Sequence, residues 1–116
     1  MLICFSQLSQ SFLISCDLQV HYVMMEMPDG SRLKFDLLHT LPFDSVRKRM
    51  SVIVRSPHSN EAILYCKGAD SVIMELLSEE FKQSQQGEHI IFKSSEYLSL
   101  YSSYGLRTLC LAKRVR

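Results

Sequence analysis

The stretch Leu41-Pro-Phe-Asp-Ser-Val-Arg-Lys-Arg-Met-Ser-Val-Ile-Val-Arg55 puts an aromatic residue, four cations and a strand pattern into fifteen residues. In an extended chain side chains alternate between faces, so Lys48, Met50, Val52 and Val54 are expected on one face and Arg47, Arg49, Ser51, Ile53 and Arg55 on the other. The apolar row therefore starts with a lysine. Such a lysine is either an edge residue whose head reaches water or the floor of a pocket for something negative. Phe43, after Pro42, is either a core plug or a stacking platform.

The flanking sequence reads as sheet. Leu18 to Met27 is a partly alternating, β-branched run, Pro28-Asp29-Gly30 carries turn chemistry, and Arg32 to Thr40 alternates again, so the two runs form a hairpin. Pro42 is expected to end that second strand. A third strand from about Lys48 to Arg55 follows, then the turn cluster Ser56 to Asn60 and a fourth strand, Glu61 to Cys66. Lys67-Gly68-Ala69-Asp70 interrupts this pattern, and Val72, Ile73, Leu76 and Leu77 recur at helical spacing behind Asp70, the expected N-cap. Ser78 to Glu88 is polar and reads as a surface loop. A second helix runs from Ile90 or Ile91 to Tyr104 with Gly105 as its C′ residue, and a closing strand spans Leu106 to Val115. The expected class is α+β: an antiparallel sheet of about five strands with two helices packed on it. Residues 1–17 are left as an unassigned, loosely ordered or non-native segment, and residues 18–116 as the domain.

Composition narrows the function. With 47% hydrophobic and 22% charged residues the chain is ordinary globular protein. Thirteen basic against twelve acidic residues leave a net charge of +1, so any anion must be held by a local cluster. Arg47-Lys48-Arg49 and Lys113-Arg114 are short basic tracts and a weak signal for nucleic acid, which is not expected as a partner. No run approaches the ~18 apolar residues of a membrane helix. Cys4, Cys16, Cys66 and Cys110 lack the spacing of a zinc site or disulfide framework and read as reduced thiols, and none of the four histidines has a partner at catalytic spacing. Walker and dinucleotide glycine loops are absent, as are the zinc-protease and serine-hydrolase motifs.

What remains is a distributed set: Phe43, Lys48, Met50, Lys67 and Arg107. An aromatic face and a thioether can hold a planar base, with stacking worth about 1–3 kcal/mol, while two lysines and an arginine can meet phosphates. Gly68 lets the backbone turn sharply or approach a ligand closely.

Phe43-Asp-Ser-Val-Arg-Lys-Arg-Met-Ser-Val52, then Lys67-Gly-Ala-Asp70, then Gly105-Leu-Arg-Thr-Leu109 resembles the nucleotide-binding domain of P-type ATPases over roughly residues 18–116. The Arg-Lys-Arg-Met-Ser and Lys-Gly-Ala-Asp forms are similar to the type IV, phospholipid-flippase branch. Leu-Leu-His-Thr-Leu-Pro-Phe-Asp-Ser-Val and Gly-Leu-Arg-Thr-Leu-Cys-Leu-Ala-Lys-Arg are most similar to its class V subgroup. The resemblance implies a module at the cytosolic face of a membrane that holds ATP, with Mg2+, for phosphoryl transfer to an aspartate on another domain. It implies that Phe43 stacks on adenine, Ser45 and Lys48 line the pocket, Met50 packs near the base, Lys67 sits deep in it, and Arg107 reaches the phosphates with Thr108 beside it. The partner would be the phosphorylation domain of the parent ATPase, with phospholipid met only through a membrane domain. The family's Asp-Lys-Thr-Gly-Thr block is not in these 116 residues, nor is the acidic motif that usually precedes the strands. No catalytic residue is therefore expected here, and the chain alone should not hydrolyse ATP. The alternative is a non-catalytic interaction or regulatory fragment with an incomplete nucleotide pocket.

Overall fold

The computed structural model describes residues 2–5, 12–17 and 21–116. Among these residues seven strands form one antiparallel sheet: β1 (Leu2–Phe5), β2 (Phe12–Asp17), β3 (Tyr22–Glu26), β4 (Arg32–Asp44), β5 (Arg49–Arg55), β6 (Ala62–Gly68) and β7 (Leu109–Val115). Their order is β1-β7-β6-β5-β4-β3-β2. The five strands from residue 22 onward are those expected from alternation, and they form the centre of the sheet. The backbones of β1 and β2 pair along its two edges. Three helices, α1 (Asp70–Leu76), α2 (Glu79–Gln83) and α3 (Gln85–Ser103), are inserted between β6 and β7. The α+β class with an antiparallel sheet is thus the observed architecture. Residues 18–20, assigned to the first strand by pattern, lie outside the described residues.

Local chemistry accounts for the turns. At the β3–β4 hairpin Gly30 takes φ +84°, and the Asp29 carboxylate accepts hydrogen bonds from the Ser31 backbone N–H at 2.9 Å and the Ser31 hydroxyl at 2.6 Å. These bonds hold Asp29 below the usual carboxylate pKa range, the Ser31 hydroxyl contributing most. Between β5 and β6, Ser56 Oγ accepts from the N–H groups of His58 and Ser59, and Asn60 turns the chain at φ +59°.

Four expectations need correction. Pro42 does not end β4, which runs on to Asp44; the register with β5 shifts between Leu41 and Asp44, a bulge that accommodates a residue without a ladder N–H. Lys48 is not the first residue of a strand, since it closes the β4–β5 turn at φ +55° and β5 starts at Arg49. The N-cap of α1 is Ala69, Asp70 is its first helical residue, and no side chain caps this end. Finally, Ser78 to Glu88 is not a loop. It holds α2 and the start of α3, whose N-cap serines Ser78 and Ser84 accept hydrogen bonds from the N–H groups of Phe81 at 3.2 Å and Gly87 at 2.9 Å. Its polar residues are good helix formers, and polarity alone concealed two capped starts.

The core lies on one face of the sheet. Ser51, Cys66 and Ala112 share a cross-strand row, and so do Arg49, Gly68 and Cys110, so these side chains point the same way. Against that face pack Ile73 and Leu77 of the α1 segment, with Met74, Phe81, Ile90, Ile91 and Leu98 around them. Ile73 and Cys110 are fully buried, and Cys66 is a buried free thiol. The helices therefore cover the Arg49/Ser51 row and not the Met50/Val52/Val54 row, although Val54 is itself buried against its β4 partner Leu37.

Candidate functional site

All seven nominated residues lie at one end of the sheet. Phe43 is the penultimate residue of β4, Ser45 and Lys48 are in the β4–β5 turn, and Met50 is the second residue of β5. Lys67 is the penultimate residue of β6. Arg107 and Thr108 immediately precede β7, which begins at Leu109. Because β5 and β7 start where β6 finishes, three chain segments distant in sequence meet at this edge.

The ladder fixes the innermost contacts. Met50 is the direct cross-strand partner of Lys67, and Lys67 in turn pairs with Leu111. Met50, Lys67 and Leu111 alternate with the helix-covered row, so this trio lies on the opposite face. Lys48 is tied to the same edge by its backbone: its carbonyl accepts the Ala69 N–H at 3.2 Å. The αL conformation at Lys48 turns this carbonyl toward β6 and takes the side chain out of the alternation of β5.

Gly68 explains why the two strands come so close. A Cβ there would lie 2.5 Å from the Lys48 carbonyl oxygen and 2.7 Å from Arg49 Cβ. The close approach in this structure is thus backbone to backbone.

A residue not nominated organises the turn. Asp44 Oδ1 accepts the Val46 N–H at 2.6 Å and the Arg47 N–H at 3.1 Å, while the Asp44 carbonyl accepts the Lys48 N–H at 2.7 Å. This Asx turn sets the spacing between Phe43 and Lys48. The hydrogen bonds from Arg47 and then Val46, with the nearby Arg47 charge, lower the Asp44 pKa. Its sequence signal, an Asp two and three residues ahead of the N–H groups it would bind, was present in Asp44-Ser-Val-Arg47.

Arg107 and Thr108 are delivered by the end of α3. Gly105, at φ +70°, donates to the Ser102 carbonyl at 3.0 Å and Leu106 donates to the Tyr101 carbonyl at 3.0 Å, the two bonds of a Schellman motif. The helix stops there, and the chain turns into β7 within four residues.

The arrangement is an open shelf. Phe43 is 66% exposed, Lys48, Lys67 and Arg107 are exposed, and Met50 is half-buried beside them. Among the described residues no carboxylate lies within ion-pairing distance of these three cations. An aromatic face, a thioether and three unpaired cations on one edge can take a flat apolar group together with an anionic tail.

Comparison with known proteins shows the family. The model of the P-type ATPase cytoplasmic domain N matches residues 13–115. Phospholipid-transporting ATPase VA from Homo sapiens is 53% identical over 96 residues, covering 80% of this chain and 6% of the relative. Phospholipid-transporting ATPase VB from Homo sapiens is 48% identical over 98 residues, 80% of this chain and 7% of the relative. Phospholipid-transporting ATPase DNF1 from Saccharomyces cerevisiae is 42% identical over 97 residues, 79% of this chain and 6% of the relative. The chain thus spans a small fraction of the length of the relatives it matches.

Proposed function

Since the chain belongs to the P-type ATPase cytoplasmic domain N family, with type IV phospholipid-transporting ATPases of class V among its relatives, we propose that it is the ATP-holding module of such an enzyme. The observation that carries the reading is the meeting of Phe43, Lys48, Met50, Lys67 and Arg107 at one sheet edge, from three segments separated in sequence. On this reading adenine stacks on Phe43 and rests against Met50. Lys67 and Lys48, with Ser45, line the pocket, and Arg107, with Thr108 beside it, meets the phosphates. Mg2+ arrives on the nucleotide and draws charge from its phosphate oxygens. The γ-phosphoryl group is destined for an aspartate on the phosphorylation domain of the parent ATPase, which moves phospholipid through a membrane domain. This chain's share is to bind and orient, and alone it leaves ATP intact.

The test is an NMR titration of the 116-residue chain with MgATP. The amides of Phe43, Lys48, Lys67 and Arg107 should move together in a saturable way. Lys67→Ala should weaken binding by about 1.5–3 kcal/mol, the range for hydrogen bonds to charged groups. A chain that melts cooperatively at a temperature unmoved by millimolar MgATP would overturn the proposal and leave an interaction module with an incomplete pocket.

A further inference from the structure

The helix-covered face carries a cavity of about 560 Å3 between the sheet and the α1–α2 segment, on the side away from Met50 and Lys67. Its apolar floor includes Leu41, Leu64, Leu77, Phe81 and Ala112. Arg47, Arg49 and Arg114 stand around it with one carboxylate, Glu80. Lys113 also lines the opening, but its register partner Tyr65 puts its side chain on the other face of the sheet, so three guanidiniums against one carboxylate leave two positive charges on this side, more than the +1 of the whole chain.

The arginines are not used up by the fold. Among the described residues no carboxylate lies within ion-pairing distance of any of them. Arg49 donates to the Arg47 carbonyl at 3.1 Å and Arg47 donates to the Pro42 carbonyl at 3.5 Å, which leaves most of their N–H groups available. Arg114 stands on β7, where its register partner Leu64 fixes it to the same face. The volume falls in the ordinary range for a small-molecule site, roughly 300–1,000 Å3.

We infer that this cavity is a second binding site, separate from the proposed nucleotide shelf, for a phosphate-headed amphiphile: a phosphomonoester dianion among the arginines and one hydrocarbon chain along the leucine floor. Charge complementarity selects the head, since a phosphomonoester carries close to two negative charges above its second pKa of about 6 and guanidiniums bind its oxygens in pairs. The apolar floor selects the tail, and neither element alone accounts for the other. Glu80 opposes a third negative charge on the ligand, which separates this site from one for triphosphates.

The test uses the 116-residue chain and dodecyl phosphate below its micelle concentration, read through side-chain methyl resonances that distinguish the two faces of the sheet. Saturable shifts of the Leu41, Leu64 and Leu77 methyls with the Met50 methyl unmoved are expected. Arg49→Gln and the exposed Arg114→Gln should each weaken binding by about tenfold, the loss of one charge-assisted hydrogen bond. Dodecyl maltoside, which has the tail without the charge, and inorganic phosphate, which has the charge without the tail, should each bind at least tenfold more weakly. Unmoved leucine methyls, equal binding of either control, or unchanged affinity in both variants would overturn the inference. Displacement of dodecyl phosphate by MgATP with movement of the Met50 methyl would overturn it too, by placing the ligand on the other face.

Discussion

Gly68→Ala tests how closely the β5–β6 edge is built. The new Cβ would lie 2.5 Å from the Lys48 carbonyl oxygen, 2.7 Å from Arg49 Cβ and 2.9 Å from Arg49 Cα, whereas ordinary contact begins near 3.4 Å. Two of these neighbours are backbone atoms, so the strands must part by about 0.9 Å. The first bond to suffer is that from the Ala69 N–H to the Lys48 carbonyl, already 3.2 Å long. Overpacking typically costs about 1–3 kcal/mol and a lost hydrogen bond about 1 kcal/mol more, so the expected destabilisation is roughly 2–4 kcal/mol. Against a domain stability of about 5–15 kcal/mol this is a large change. Urea denaturation followed by circular dichroism reads it as a lower midpoint at unchanged slope. The amides of Lys48, Arg49 and Ala69 should shift while those of the β3–β4 hairpin stay in place. A variant within 0.5 kcal/mol of the parent, with those three amides unmoved, would refute the claim that backbone proximity requires glycine here.

Lys48→Ala and Lys48→Gly remove the same charge but differ in their tolerance of φ +55°, so the glycine variant should be more stable by about 0.5–1 kcal/mol while the two lose MgATP affinity equally. Thermal melts and isothermal titration read the two effects separately. Gly105→Ala, where φ is +70° and the space around the missing Cβ is open, should cost only the backbone strain of about 1–2 kcal/mol, with Gly105→Asn costing less in the same denaturation assay. The Asp44 turn should be pH-dependent in a defined direction. Its folded-state pKa is lowered, so its contribution is complete above the unfolded value and is lost as pH falls through the folded one. NMR shifts of the Val46 and Arg47 amides should therefore titrate together, with a midpoint below that of an ordinary aspartate, and Asp44→Asn should flatten both curves.

Much of the sheet was legible because period-two patterning and turn chemistry act locally. Tyr22 to Glu26, Ala62 to Cys66 and the Pro28-Asp29-Gly30 turn are read directly from neighbouring residues. The helix end at Gly105 is of the same kind, since the αL requirement is written in one residue. The errors arose where two local signals competed. In Ser78 to Glu88, polar composition suggested a loop while the serine caps and the helix propensity of Glu, Lys and Gln pointed the other way. At Lys48 the alternation of β5 continues in the sequence one residue beyond the strand itself, because positive φ at this lysine is offset by the long-range bond from Ala69 and by the Asx turn of Asp44, neither visible as a pattern. Which face the helices cover was also hidden. The row beginning with Met50 is the more apolar, yet the helices lie over Ser51 and Cys66.

That last reversal has a physical logic. A strand presents two independent rows, and only the row under the helices must give up water completely. Small side chains, Ser51, Cys66, Gly68, Cys110 and Ala112, let α1 approach the sheet closely enough to bury Ile73 entirely. The opposite row keeps larger and more flexible groups, Met50, Lys67 and Leu111, which need no helix above them. Their positions are held by the ladder bonds of strands already anchored from the other side. A shelf built this way stays open to solvent, so its cations remain hydrated and its aromatic side chain stays in contact with water. On the proposed reading a nucleotide would gain from each contact only what survives competition with water, and affinity would be modest. Such a shelf favours rapid release, which suits a module that must present its ligand to a second domain.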